Sequence, residues 1–498
     1  MANNLLLLVL LASFLCAPVV YLIGRNIGKR VSWVTFAALL CISLVFAGLM
    51  PVVEHSVILE EYSWVVAPVE LTFGLMADGL SVPVIFTYIF VFACTALFSL
   101  QYMERRLSLD DMEENNEQYA RFYTFFLLYG VSVAGSMLAT NLIEFYLFFE
   151  MALVFSWILV LLFGYGDRRR NSLLYFLYTH IGGGALLVGI LGAYWAMGSF
   201  EIADLANISS YPGAFWIGIA ITLGLLVKIG ALGLHGWMPD TYSESPAPVS
   251  AVLGATSVLL STYSLARLMP YFTEVLHGVS GWIELWALLT ILYAGVMAIV
   301  QTDTKRLVAY LSMSQMNYCV LGVFTYIDYG VLGAISYSIS HGLAIALLFL
   351  VSGALMYRTG TRDMTKMGGL AEKMPIVILA TMAGFLTIGG VPPAVGFKSK
   401  FLLLSGAFVR GFESSWMELL VAILAGSLAT LVTLAYEFRT VWRVYYGKLP
   451  KELDSVASVP IMMAVALVAM SALSVIFGIW PALITNPIEV FIAHIFHH

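Results

Sequence analysis

Three charged side chains lie in stretches that water should not reach. Glu150 sits in FYLFFEMALVFSWILV, Lys228 in GLLVKIGALGLHGWMPD and Lys400 in GGVPPAVGFKSKFLLL. An ionised group at the middle of a bilayer costs on the order of 3 kcal/mol on insertion scales, so each is a candidate for ion handling. The bland alternatives are a protonated, hydrogen-bonded Glu150 and lysines that snorkel to an interface. Lys398, next to a helix break, is expected to be structural. Neither Glu150 nor Lys228 keeps its charge alone at such depth without large cost, so the two are expected within salt-bridge or one-water distance in at least one state. Imidazoles exchange protons near neutrality. His341, flanked by Ser338 and Ser340 in SYSISHGLAIALLFL, is deep, and His180 (LYTHIGGG) and His235 (LHGW) are shallower. The ion-translocation candidates are therefore Glu150, Lys228, His341 and Lys400, with His180, His235, Ser338 and Ser340 as possible relay members.

Helices must position these groups. Of 498 residues, 61% are hydrophobic and 11% charged. Apolar runs of roughly 20 residues, enough to cross the hydrocarbon as helix, recur along the whole chain. The fold class is an all-α polytopic membrane protein with about fourteen transmembrane helices. They are expected near 4–23, 32–53, 80–101, 122–139, 142–163, 171–197, 214–235, 248–269, 283–300, 306–326, 329–357, 375–409, 417–446 and 459–480. Two carry their own disruption: Gly233, Gly236 and Pro239 follow Lys228, and Gly389, Gly390, Pro392, Pro393 and Gly396 precede Lys400. Broken backbone at membrane depth needs a protein or water lining. Five helices separate the breaks, an odd offset that inverts one relative to the other, as in an inverted-topology repeat. The expected division is 1–121 for helices 1–3 and a cytoplasmic loop, 122–270 for the first five-helix repeat, 271–446 for the second, and 447–498 for helix 14 and a tail.

Assigning loops alternately to two faces places nineteen of the 24 lysines and arginines on one face, with Arg267 and Arg410 opposite. By the positive-inside rule the crowded face is cytoplasmic and both termini are external, in a multi-pass protein of the cell membrane. Asp303, Lys305 and Arg306 (QTDTKRL) read as a cytoplasmic helix start capped by Asp303, outside any ion path. The insert 102–121 is too short for a domain and reads as a cytoplasmic loop or surface helix. A net charge of −6 without a long basic tract excludes nucleic-acid binding. Cys16, Cys41, Cys94 and Cys319 lie singly, with neither CxxC nor metal-site spacing. No flavin, haem, iron–sulfur or nucleotide motif is visible, so no cofactor is expected and any redox chemistry lies in partners.

In order along the chain come MADGLSVPV (76–84), NLIEFYLFFE (141–150), YFLYT (175–179), LHGWMPDTYSESPAPVSA (234–251), QTDTKRLVAYLSMSQM (301–316), HGLAIALLFLVSG (341–353) and GVPPAVGFKSK (390–400). With them the chain resembles the antiporter-like subunits shared by respiratory complex I, energy-converting membrane-bound hydrogenases and Mrp-type cation/proton antiporters. The resemblance implies fourteen core helices, inverted five-helix repeats and external termini. It implies that Glu150 and Lys228 form a pair modulating the lysine's proton affinity, that His341 and Lys400 continue a hydrated polar chain, and that membrane subunits and hydrophilic redox subunits are partners. Two departures stand out: Leu259 and Ile345 occupy positions where the family usually carries lysines. Ser261, Thr262, Ser338, Ser340 or water would have to bridge that stretch. Three functions remain open: an H+ or Na+ translocating subunit of a redox-driven complex or of a Mrp-type antiporter, a degenerate non-conducting scaffold in such a complex, or a free-standing small-solute transporter, for which no substrate-pocket signature is visible.

Overall fold

The computed structural model describes residues 4–65, 71–109 and 114–496. Helices α1 (Leu5–Ile27) and α2 (Val31–Val53) lead to a two-stranded antiparallel sheet, β1 (Ile58–Val65) and β2 (Leu71–Ala77), and then to α3 (Ser81–Leu107). Next come α4 (Asn116–Leu138), α5 (Leu142–Phe163), α6 (Arg168–Met197), α7 (Ala214–Ile229), α8 (Met238–Glu244) and α9 (Ala247–Leu268). They are followed by α10 (Thr273–Val300), α11 (Thr304–Phe324), α12 (Asp328–Thr359), α13 (Pro375–Gly389) and α14 (Gly396–Glu413). The chain continues through α15 (Trp416–Gly426), α16 (Leu428–Tyr445), α17 (Ile461–Ile479) and α18 (Ala482–Phe496).

Ten helical stretches among the described residues have the length and hydropathy for a bilayer crossing, and three of them, Leu5–Val53, Ala247–Val300 and Trp416–Tyr445, each contain two helices. Helices α3, α11 and α12 are buried nearly all round, whereas α1 and α15–α16 turn apolar faces outward. That is the arrangement expected where lipid, not water, is the outer solvent. Asn115, Asn141, Asp167 and Asp303 cap α4, α5, α6 and α11, their side chains accepting from otherwise unpaired first-turn N–H groups.

At one end of the bundle, β2 bridges to Ala139 after α4, and Asn141 bridges to Glu201 after α6. This hairpin end is also tied by Asp78 and Arg267, paired at 2.6 and 2.9 Å. At the opposite end Asp303 bridges to Asp363. Asp303 caps α11 as expected, but Lys305 is fully buried. Its Nζ donates to the Ser243 carbonyl at 3.0 Å and to the Ser245 carbonyl. Arg362 joins it, donating to the Ser243 carbonyl at 2.5 Å and pairing with Glu244 and Asp303, each at 3.0 Å. Arg106 does the same for α5, its NH2 donating to the Gly164 carbonyl at 2.6 Å. Three side chains read from sequence as cytoplasmic-face cations thus satisfy helix C-terminal carbonyls, where positive charge is favoured. Lys305→Met removes one donor from each of the Ser243 and Ser245 carbonyls, leaving them Arg362 and Ser250 respectively, at a cost of roughly 1–3 kcal/mol. Its expected result is a several-fold loss of assembled protein in the membrane with unchanged ion flux per assembled complex. Normal assembly with abolished flux would overturn the assignment.

The structure corrects the sequence reading at several elements. The hairpin was not anticipated, and α10 starts ten residues earlier than expected. Most of the 102–121 insert is helix, 102–107 closing α3 and 116–121 opening α4, while 110–113 lie outside the described residues. The tail contains α18, and the segment 417–446 is divided at Ser427, where φ is −107° and ψ −81°.

Candidate functional site

Both expected breaks occur, and both are built the same way. Gly230 ends α7 and Gly390 ends α13 in the left-handed conformation, at φ +80° and +71°, which a glycine adopts without a Cβ penalty. In each break a side chain takes up a carbonyl freed near the end of the first half-helix. The Trp237 indole donates to Val227 O at 3.1 Å, and the Tyr337 hydroxyl to Ile388 O at 3.0 Å. Leu232 N donates to Thr290 Oγ1 at 3.0 Å and Trp286 Nε1 to Leu232 O at 2.9 Å, so the irregular backbone is lined by protein. The lysines lie on opposite sides of their breaks in sequence. Even so, both ammonium groups are at a half-helix C-terminus: Lys228 is in the last turn of α7, and Lys400 Nζ is 3.4 Å from Ile388 O at the end of α13. Aligned peptide dipoles favour a cation at both places.

In the first site, Lys228 is buried with its Nζ 3.8 Å from the centre of the Phe149 ring, a cation–π contact. Glu150 is near enough to act on it electrostatically, but no ion pair joins the two among the described residues. The Glu150 Oε2 instead pairs with His180 Nδ1 at 2.9 Å. Its Oε1 accepts no hydrogen bond and rests against Gly183, where an added Cβ would come within 2.1 Å. Alanine at 183 would therefore have to displace the carboxylate. The His180 side chain is 54% exposed, which opens this pair to the flank of the bundle. His235 lies in the break, its Nδ1 accepting from Gly233 N at 3.3 Å.

The second site is fully enclosed and richer. Lys400 Nζ donates to Gln315 Oε1 at 3.3 Å and lies 4.3 Å from the Tyr318 ring centre. The Tyr337 hydroxyl shares its one proton between Ile388 O and, at 2.7 Å, Gln315 Oε1, while Gln315 Nε2 donates to Thr433 and Tyr436 hydroxyls at 3.0 Å each. An ammonium only donates, so the amide oxygen must face Lys400 and the orientation of Gln315 is settled. Glu437 on α16 is the buried carboxylate whose charge acts on Lys400. Neither Gln315 nor Glu437 was singled out from sequence. The first lay within a matched motif, but a neutral amide carries no charge signal. The second was masked by the nearby Arg439 and Arg443.

His341 is buried, stacks on Tyr337 and has Nε2 3.4 Å from Ser312 Oγ; its Nδ1 is without a partner. One residue before it, Ser340 Oγ meets Ser399 Oγ at 3.2 Å, beside Lys400. His341, Ser340 and Lys400 are thus brought together. Ser338 makes no hydrogen bond to Ser399 or Lys400 among the described residues; its hydroxyl donates to Ile335 O on its own helix at 2.7 Å. Lys398 reaches Thr485 of α18 at 3.2 Å, a tie between elements. Between the two sites Leu259 is wholly buried against Gly342, where a Cβ would lie 2.8 Å from its Cδ1, and Ile345 is buried one turn beyond His341. Elsewhere along α9, Tyr242 OH donates to Ser257 Oγ at 2.8 Å, and Thr256 Oγ1 is 3.5 Å from Tyr88 OH.

Residues 139–433 match the family described as NADH:quinone oxidoreductase/Mrp antiporter, TM. The chain belongs to this antiporter-like membrane family. It is 30% identical over 442 residues to F(420)H(2) dehydrogenase subunit M of Methanosarcina mazei, covering 85% of this chain and 83% of that one. With NADH-quinone oxidoreductase subunit M of Rhodobacter capsulatus it shares 27% over 518 residues, 99% of this chain and 96% of that one. Its fold is that of a chain in the Mrp complex from Dietzia sp. DQ12-45-1b (TM-score 0.84, 20% identity, 98% and 97% of the chains). It is equally that of a chain of Thermus thermophilus respiratory complex I with bound NADH (0.83, 24%, 98% and 99%). With the family and its apolar helices, this is an integral multi-pass membrane protein.

Proposed function

We propose that this antiporter-like chain translocates H+ or Na+ within a membrane-bound redox-driven complex, and that Glu150, Lys228, His341 and Lys400 carry the ion path with His180, His235 and Ser340 in support. The observation that carries this reading is the repeated device of a buried lysine at the carbonyl end of a broken helix with a carboxylate in electrostatic reach, Glu150 for Lys228 and Glu437 for Lys400. The His180–Glu150 pair, open at the flank, supports docking of a neighbouring membrane subunit there, because a pair left to lipid is costly. That subunit would bias the switch by holding Glu150 on His180 or releasing it to Lys228. Fourteen crossings, inverted repeats over 122–270 and 271–446, external termini and a cell-membrane location belong to the same proposal. Redox cofactors would reside in hydrophilic partner subunits.

A second reading is a non-conducting scaffold, favoured by the dry contact of Leu259 with Gly342. Flux through the native complex reconstituted in vesicles separates the two. His341→Ala is expected to lower flux at least about tenfold, or 1.4 kcal/mol of barrier, without loss of assembly. Flux unchanged by His341→Ala, Lys228→Ala and Lys400→Ala alike would establish the scaffold.

A further inference from the structure

A second buried charged cluster, not used by the path above, lies at the α14–α15 end of the bundle. Glu284 of α10 is completely buried, and neither of its carboxylate oxygens accepts a hydrogen bond. The charged groups acting on it are Glu418 of α15 and Arg410 of α14. Tyr326, in the turn between α11 and α12, faces Arg410 and Glu284, and its hydroxyl is also buried without a partner. Arg410 NH2 is 3.6 Å from Glu418 Oε1 and donates to Ser280 Oγ at 3.2 Å, while Arg410 Nε is unpartnered. Its NH1 lies 2.7 Å from His277 Nε2.

Charge counting decides the protonation state. A guanidinium can only donate, so His277 Nε2 accepts, and the imidazole is neutral with its proton on Nδ1. It supplies no positive charge. Two carboxylates then face a single cation, and a lone buried carboxylate without a hydrogen-bond donor is strongly disfavoured. Glu418 holds the cation and is hydrogen-bonded to Ser415 Oγ at 3.4 Å, so it is the ionised member. We infer that Glu284 holds a proton at neutral pH, and that Arg410, by moving from Glu418 to Glu284, exchanges that proton between the two carboxylates. The pair is thereby a proton-holding station at the α14–α15 end of the second site. Its part in transport rests on the ion-translocation reading above; its protonation does not.

The test is infrared spectroscopy of the purified native complex, recording the deuterium-sensitive carbonyl band of protonated carboxylic acids. Glu284→Gln is expected to remove one such band relative to the unsubstituted protein. Glu418→Gln should remove the same band, because the single carboxylate left would then pair with Arg410 and ionise. Arg410→Gln should instead add one. An unchanged band in Glu284→Gln overturns the inference, and so does a band retained in Glu418→Gln. Flux measured on Glu284→Gln is expected to fall severalfold, with Glu284→Asp recovering part of it. If flux is unchanged by His341→Ala, Lys228→Ala and Lys400→Ala alike while the band behaves as described, the translocation reading fails and the protonated carboxylate stands.

Discussion

Lys400→Met is expected to abolish coupled ion flux and to destabilise the protein, while adding Glu437→Gln restores stability but not flux. The single substitution strands the Glu437 carboxylate, which is buried with an Oε1 that accepts no hydrogen bond and which has Lys400 as the cation acting on it. Removing one partner of a buried charge pair costs roughly 3–5 kcal/mol, mostly through the charge left behind. Neutralising Glu437 as well removes that penalty, so the double variant should be more stable than Lys400→Met by at least about 1 kcal/mol, a non-additivity expected only of interacting groups. Thermal unfolding of the detergent-solubilised protein reads stability, and vesicle flux reads function. Strictly additive destabilisation would show that Glu437 is not the counter-charge, and retained flux in Lys400→Met would remove the lysine from the path.

Asp78→Ala is expected to destabilise the hairpin end by a similar 3–5 kcal/mol. Asp78 receives Arg267 on both oxygens and also accepts from Leu80 N at 3.1 Å and Ser81 N at 2.8 Å, so it both caps α3 and closes an ion pair. Arg267 in turn holds Tyr263 OH at 3.1 Å and lies 4.7 Å from the Phe491 ring centre of α18. Burial pushes the Asp78 carboxyl up, but the Arg267 guanidinium and the Ser81 hydrogen bonds outweigh it and hold the group below the usual carboxylate range. Its folded value being depressed, the stabilisation is complete above the unfolded value of about 3.9 and is lost as pH falls through the folded one. Acid unfolding below about pH 4 should therefore be steep in the native protein and shallower in Asp78→Asn. Identical acid profiles would refute the pair's role.

The helices were readable because each apolar run is long, and the breaks because Gly and Pro clusters interrupt such runs. Lys228 and Lys400 were readable for the same reason, as charges inside hydrocarbon-length segments. Other features depend on what packs against what. Glu437 lies in YEFRTVWR and looks interfacial until α16 is placed beside α13 and α14. Glu284 follows the exposed Trp282 and reads as a helix start because ten polar and apolar residues before it have no clear period, although α10 already runs through them. Lys305 satisfies a topology rule and a burial role at once, and only the first has a sequence signature. His180, not Lys228, holds Glu150, a choice made by the close approach of α6 at Gly183.

The division of 417–446 at Ser427 gives α16 a mechanical independence. The helical ladder lapses there, and the Ala425 carbonyl is taken up by Tyr318 OH at 3.0 Å and by Thr430 Oγ1 at 3.3 Å. A rod joined at such a point can swivel without dragging α15, and α16 carries Thr433, Tyr436 and Glu437 together. A small rotation would then withdraw both of Gln315's acceptors and the counter-charge of Lys400 in one stroke. The moving part of the second site would be its anionic wall, with the lysine as the stationary contact.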